Sequence, residues 1–220
     1  MALTALEKNY IAIEGVIGVG KTSLATMIAE KLDARLVLEE AETNPFLEDF
    51  YKDRRGMAFQ VQVYFLLSRY QQQKELIQRD LFFKRTVSDY IFQKDRIFAN
   101  VNLDDREFAL YDRIASILEQ EIAKPDIVIY LQATPEVLMR RIQKRARSSE
   151  KPMELSYIQT LNEAYNYFFF HYTDAPVLAV NTTEIDFVNN PEYVTDLLKR
   201  VEEHDDGVLY YTPLGGKGEE

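Results

Sequence analysis

Three observations predict an α/β fold, a parallel sheet flanked by helices. Short apolar runs alternate with longer stretches of helical periodicity along the whole chain. The apolar runs are nearly continuous rather than alternately polar, as in strands buried on both faces. The first of them leads into Gly15-Val16-Ile17-Gly18-Val19-Gly20-Lys21-Thr22, a glycine loop that opens an amphipathic helix.

Taken in chain order, the candidate strands are Tyr10–Ile13, Leu36–Leu38, Thr86–Val87 with its flanks, Asp126–Leu131 and Pro176–Val180. The candidate helices are Lys21–Leu32, Met57–Arg79, Asp105–Ile122, Pro135–Arg145, Ser156–Tyr172 and Pro191–Glu203. Thr134-Pro135-Glu136 reads as a helix start, with proline at the first helical position. Asp53-Arg54-Arg55-Gly56 fits a switch-type D-x-x-G pattern but follows no apolar strand, and reads as a loop. One domain is expected over residues 1–204, followed by an acidic, glycine-rich tail over 205–220, partly disordered, with Tyr210 and Tyr211 as its bulky anchors.

With 220 residues, 46% of them hydrophobic, the chain has enough apolar surface for one full core. It contains no cysteine, which excludes disulfides, thiol nucleophiles and cysteine-based metal sites. His171 and His204 are too far apart in sequence to suggest zinc. The first residues lack the basic start and long apolar run of a signal peptide, and no apolar stretch is long enough for a membrane span, so a cytoplasmic setting is expected. A net charge of −10 argues against a nucleic-acid polymer as partner. It does not argue against a mononucleotide, which a few local cations can hold.

The glycine loop carries the strongest chemical signal. Glycines let consecutive backbone N–H groups turn inward around phosphate oxygens, helped by the helix N-terminus behind them. Lys21 is placed to reach β- and γ-phosphates, and the Thr22 hydroxyl to ligate magnesium. The nucleotide-binding stretch is therefore Gly15, Val16, Gly18, Val19, Gly20, Lys21, Thr22 and Ser23. No Asn-Lys-x-Asp motif is present to read guanine, which speaks against a GTPase.

Three further features bear on chemistry, each with an alternative that stays open. Glu39-Glu40 closes the second strand at the sheet edge where ligands collect, and a carboxylate there can take a hydroxyl proton; a solvated acidic loop fits equally. Met57–Tyr70 is apolar nearly all round, yet Gln62 and Arg69 lie seven residues apart on one face. Both can recognise a base edge, or be satisfied by protein groups. Arg140, Arg141, Lys144, Arg145 and Arg147 concentrate cations in an acidic chain, forming either a lid over phosphate or a solvated basic face.

Gly15–Thr22, the Tyr51…Gln62…Arg69 spacing, and Leu131-Gln132-Ala133-Thr134-Pro135-Glu136 leading to Arg141, Arg145 and Arg147 together resemble the deoxynucleoside kinase family, related more distantly to thymidylate kinases. The resemblance spans roughly Tyr10 to Phe187. It implies a P-loop kinase fold with a five-stranded parallel sheet, ATP and Mg2+ as cofactors, and phosphorylation of a deoxynucleoside 5′-hydroxyl. It implies further that Glu39 is the catalytic base, that Gln62, Arg69 and Asp95 meet the nucleobase, and that Tyr51 and Glu150 hold the sugar 3′-hydroxyl. Asp89 corresponds to the acid beside magnesium, with Thr22. Lys21, Arg141 and Arg145 serve the transferring phosphoryl group, Arg147 completes the lid, and Asp186-Phe187 belongs to a loop packing on the ATP adenine. Arg69 with Asp95 implies a purine or deoxycytidine pocket, and a homodimer through Asp105–Ile122 is implied as well.

Two departures from the family pattern stand out. Tyr90 occupies the place where relatives carry arginine after the motif acid, leaving Lys94, Arg96 or a lid arginine as its stand-in. Glu40 stands where proline follows the base, so either Glu39 or Glu40 is that base. Two alternatives follow: a monophosphate kinase of thymidylate type, with Arg69 on the acceptor's phosphate, or a non-catalytic nucleotide sensor.

Overall fold

A computed structural model of the chain describes residues 7–78, 84–147, 150–185, 187, 190 and 192–213. Six strands form one parallel sheet in the order β2-β3-β1-β4-β5-β6: β1 (Tyr10–Gly15), β2 (Arg35–Val37), β3 (Thr86–Ser88), β4 (Ile127–Gln132), β5 (Val177–Asn181) and β6 (Val208–Tyr211). The helices are α1 (Lys21–Leu32), α2 (Leu47–Lys52), α3 (Arg54–Gln78), α4 (Lys94–Asn102), α5 (Asp105–Leu118), α6 (Pro135–Arg145), α7 (Leu155–Phe170) and α8 (Glu192–Glu203).

The continuous apolar runs are buried as expected. Ile11, Ile13, Ile127 and Ile129 are at most 1% exposed at the centre of the sheet, each contributing roughly 1.5–3 kcal/mol of apolar burial. They lie in one core with Leu24 and Ile28 of α1 and Leu161 of α7. Helix ends follow local chemistry. Asp104 and Glu107 form a reciprocal capping box at the start of α5, and Thr134 caps α6 ahead of Pro135.

The structure corrects the sequence reading in three places. The sheet has six strands, not five, because Val208-Leu209-Tyr210-Tyr211 in the acidic tail pairs with β5 from Val177↔Val208 to Val180↔Tyr211. Its β-branched and aromatic residues suit a strand; the Arg200 guanidinium 3.9 Å from the Tyr211 ring and a Tyr211 hydroxyl bond to Asp196 fasten it to α8. Residues 214–220 lie outside the described residues. Asp53-Arg54-Arg55-Gly56 is not a loop. Asp53 accepts the Gly56 N–H at 3.1 Å, and the remainder is the first turn of α3. Helices α2 and α4 are additional to those the periodicity marks.

Candidate active site

The loop after β1 is held by its own strand. Gly15 has φ +150°, and a Cβ there would come within 2.5 Å of the Leu131 carbonyl oxygen of β4, so only glycine fits. Glu14, fully buried, accepts the N–H of Gly15 at 2.9 Å, the N–H of Ile91 at 3.0 Å and the Tyr165 hydroxyl at 3.2 Å. It thereby ties the loop to the segment after β3. Lys21 folds back over the loop, its Nζ donating to the Gly15 carbonyl at 2.7 Å and the Val16 carbonyl at 3.3 Å. Burial, then the neighbouring Lys94 charge, bring its pKa down to about 8.

Beyond the loop, the C-terminal edges of β1, β2 and β3 open into a cavity of about 220 Å³. Gly18, Lys21 and Thr22 line one end. Glu39, Tyr51, Gln62, Arg69, Asp89, Asp95 and Glu150 line the rest, with Arg145 and Arg147 at the wall. The six side chains expected on the acceptor side, and Asp89 expected beside magnesium, are thus brought together with the loop in one space.

Glu39, and not the exposed Glu40, faces this cavity. Its Oε1 accepts from Arg69, and its Oε2 from Lys94 Nζ at 2.6 Å. Burial raises its proton affinity, but the Lys94 and Arg69 charges outweigh that and hold its carboxyl well below the usual range. Arg69 is clamped on its other side by Asp95, whose carboxyl burial pushes up to about 6 against the pull of Arg69. Gln62 Oε1 and Asp95 Oδ2 are buried without hydrogen-bond partners among the described residues, two unsatisfied acceptors on side chains that line the cavity. Gln62, Phe65 and Arg69 share one face of α3, with the Arg69 guanidinium 4.9 Å from the Phe65 ring centroid.

At the junction of the two halves, Thr22 Oγ1 donates to Asp89 Oδ2 at 2.6 Å, while Asp89 Oδ1 accepts the Glu39 N–H at 2.7 Å. Arg145 forms a two-point pair with Glu150, and Arg147 Nε lies 3.3 Å from Glu42. Arg141 does not line the cavity: its guanidinium donates to the carbonyls of Val19 at 3.2 Å, Thr182 at 2.7 Å and Ile185 at 3.2 Å, binding the loop to the end of β5. Phe187 is buried in the core against Tyr193, away from the cavity. Asp186 lies outside the described residues. Ser23 is exposed in the first turn of α1.

A family model for deoxynucleoside kinases matches residues 11–205. The chain belongs to the deoxynucleoside kinase family. It is 36% identical over 201 residues to a deoxyadenosine kinase of Dictyostelium discoideum, covering 89% of this chain and 80% of that one. It is 36% identical over 188 residues to a deoxyguanosine kinase of Bacillus subtilis (strain 168), covering 82% and 90%. Among solved structures, deoxyadenosine kinase from M. mycoides with bound dATP superposes with a TM-score of 0.76 at 31% identity, covering 87% of this chain and 99% of that one. The same enzyme with bound dCTP gives 0.74 at 31% identity over the same shares.

Within this family frame, two site residues escaped the sequence reading of roles. Glu14 carries a recognisable signal, a charged residue inside an apolar strand directly before Gly15. Lys94, named there only as one of several stand-ins, is one of two cations on Glu39, Arg69 being the other. Arg96 turns away to Asp112, Ser116 and Glu119. Tyr90 is fully buried outside the cavity, its hydroxyl donating to Gln72 at 2.9 Å.

Proposed function

We propose that this chain transfers the γ-phosphoryl group of ATP to the 5′-hydroxyl of a purine deoxynucleoside. The observation that carries this reading is a single carboxylate, Glu39, standing between the Lys21–Thr22 end of the cavity and its Gln62–Arg69–Asp95 end. The loop N–H groups and Lys21 hold the triphosphate. Gln62 and Asp95 offer acceptors to donor groups on the base, while Tyr51, its hydroxyl kept protonated by burial, and Glu150 hold the sugar. Glu39 takes the hydroxyl proton as the 5′-oxygen bonds to phosphorus and the bond to the β,γ-bridging oxygen breaks, releasing ADP with that electron pair. Arg145 and Arg147 close over the phosphates, and Arg141 fixes the loop they rest on.

Thr22 and Asp89 set two oxygen donors side by side, a hard ligand pair suited to Mg2+. Among the described residues no cluster of three or more His, Cys, Asp or Glu offers a complete metal cage, in keeping with an ion shared with phosphates and water. When bound, the ion offsets charge on the β- and γ-oxygens.

The monophosphate-kinase alternative needs a cation for the acceptor's own phosphate. Arg69, its candidate, is already engaged by carboxylates at both terminal nitrogens. The sensor alternative rested on Tyr90, whose missing cation is supplied on Glu39 by Lys94. A homodimer is proposed on Leu110 and Ile117 of α5, which are 53% and 62% exposed. A cytoplasmic location is proposed on the absence of cysteine, and no described helix is long and apolar enough to cross a membrane.

The test is ATP consumption with each of the four deoxynucleosides and with dAMP and dGMP. Deoxyadenosine or deoxyguanosine should be preferred, over its own monophosphate as well, and Glu39→Gln should lower kcat by roughly 10²-fold or more with ATP affinity retained. No turnover with any deoxynucleoside sinks the reading.

A further inference from the structure

Lys94 opens α4 and is 4% exposed, so its ammonium sits out of bulk water. An ammonium carries three N–H donors. Among the described residues the one hydrogen-bond acceptor it meets is Glu39 Oε2, at 2.6 Å. A buried cation with spare donors has a use for further acceptors.

Glu39 has anchors besides Lys94. Its other oxygen is bonded by Arg69, which Asp95 holds from the far side, and its backbone N–H is anchored on Asp89. Lys94 instead stands on the cavity wall shared with Lys21 and Thr22. Two ammonium groups lining one space suit an anion placed between them. The terminal phosphate of a nucleotide seated on the glycine loop is such an anion.

We propose that Lys94 is a second phosphoryl-binding cation, gripping the γ-phosphoryl oxygens from the acceptor side while Lys21 grips them from the donor side. The proposal builds on the kinase reading above and assigns Lys94 a direct contact with the group in transfer. Because Lys94 also touches Glu39, the same side chain keeps the base and the phosphorus within one hydrogen-bonded cluster. ADP lacks the γ-phosphoryl group, so the contact distinguishes ATP from ADP.

Lys94→Gln keeps a donor for Glu39 and removes the charge; Lys94→Arg keeps the charge. Calorimetric binding of the β,γ-imido analogue of ATP and of ADP, each with magnesium and without deoxynucleoside, separates the roles. In Lys94→Gln the analogue should bind about tenfold or more weakly and ADP within about twofold of the wild type. Lys94→Arg should hold the analogue's affinity within about threefold, and kcat in Lys94→Gln should fall on the order of 10²-fold. Equal weakening of analogue and ADP, an unchanged analogue affinity, or a loss in Lys94→Arg as large as in Lys94→Gln overturns the proposal. A normal wild-type substrate panel with an unmoved ATP-to-ADP ratio overturns Lys94 alone. Absent wild-type turnover with a selective loss of analogue binding overturns the kinase reading and leaves the contact standing.

Discussion

Asp95 shows how much of the site's character belongs to its surroundings. In sequence it is an acid six residues after Asp89; in the fold it is 1% exposed, bonded to Arg69, with its second oxygen unpartnered. Because burial raises its pKa from 3.8 to about 6, the folded protein holds that proton more tightly than the unfolded chain does. The sign follows: the stability this group contributes is present below about pH 4 and is lost as pH rises through about 6. Urea denaturation of wild type and Asp95→Asn should therefore show a wild-type-minus-variant difference that shrinks by on the order of 2–3 kcal/mol from pH 4 to pH 7. A flat or growing difference refutes the assignment. The same scale decides Glu39 against Glu40: adjacent residues leaving β2 point to different surroundings, and only Glu39 meets Arg69 and Lys94.

Between elements, the contact that matters most is α6 against the phosphate loop. Gly18 has φ +85°, and a Cβ there would lie 2.7 Å from Ile142 Cγ1 and 2.9 Å from the Leu138 carbonyl oxygen. Helix α6 is thus seated on the loop, with Arg141 bonded to Val19 beside it. Gly18→Ala combines a left-handed backbone with a clash against helix backbone, and should weaken ATP binding by about tenfold or more while lowering Tm by several degrees. Thermal-shift measurements with and without ATP check this; an alanine variant with wild-type ATP stabilisation refutes it. Elements with strong periodicity or caps, such as β1, α1 and α6, were legible from sequence. Helix α2 has six residues, too short for a period to register. Helix α4 buries Lys94 and Asp95 on the face where apolar residues are expected, and its N-cap Gln93 makes no side-chain capping bond.

For the whole molecule, the apolar residues of α5 serve two faces of the helix. Tyr111 and Ala115 are buried against Leu66 and Phe92, with Phe108 and Leu118 packed alongside, as a core-facing helix requires. Leu110 and Ile117 point outward, a pairing surface for the proposed dimer. Sedimentation should give twice the chain mass for the wild type and the chain mass for a Leu110→Lys/Ile117→Lys variant; a wild-type monomer at all concentrations removes that proposal. The strand and helix alternation, the glycine loop with its lysine, and the acids, amides and arginines available for an acceptor can all be read along the chain. These are written in local spacing, where backbone geometry and apolar periodicity act over a few residues. Long-range packing sets the rest: Lys94 rather than Arg96 meets Glu39, Arg141 fastens the loop instead of lining the cavity, and Val208–Tyr211 completes the sheet. Each of those depends on which distant carbonyl, carboxylate or strand edge lies within hydrogen-bonding reach, and that is set by packing across the whole chain.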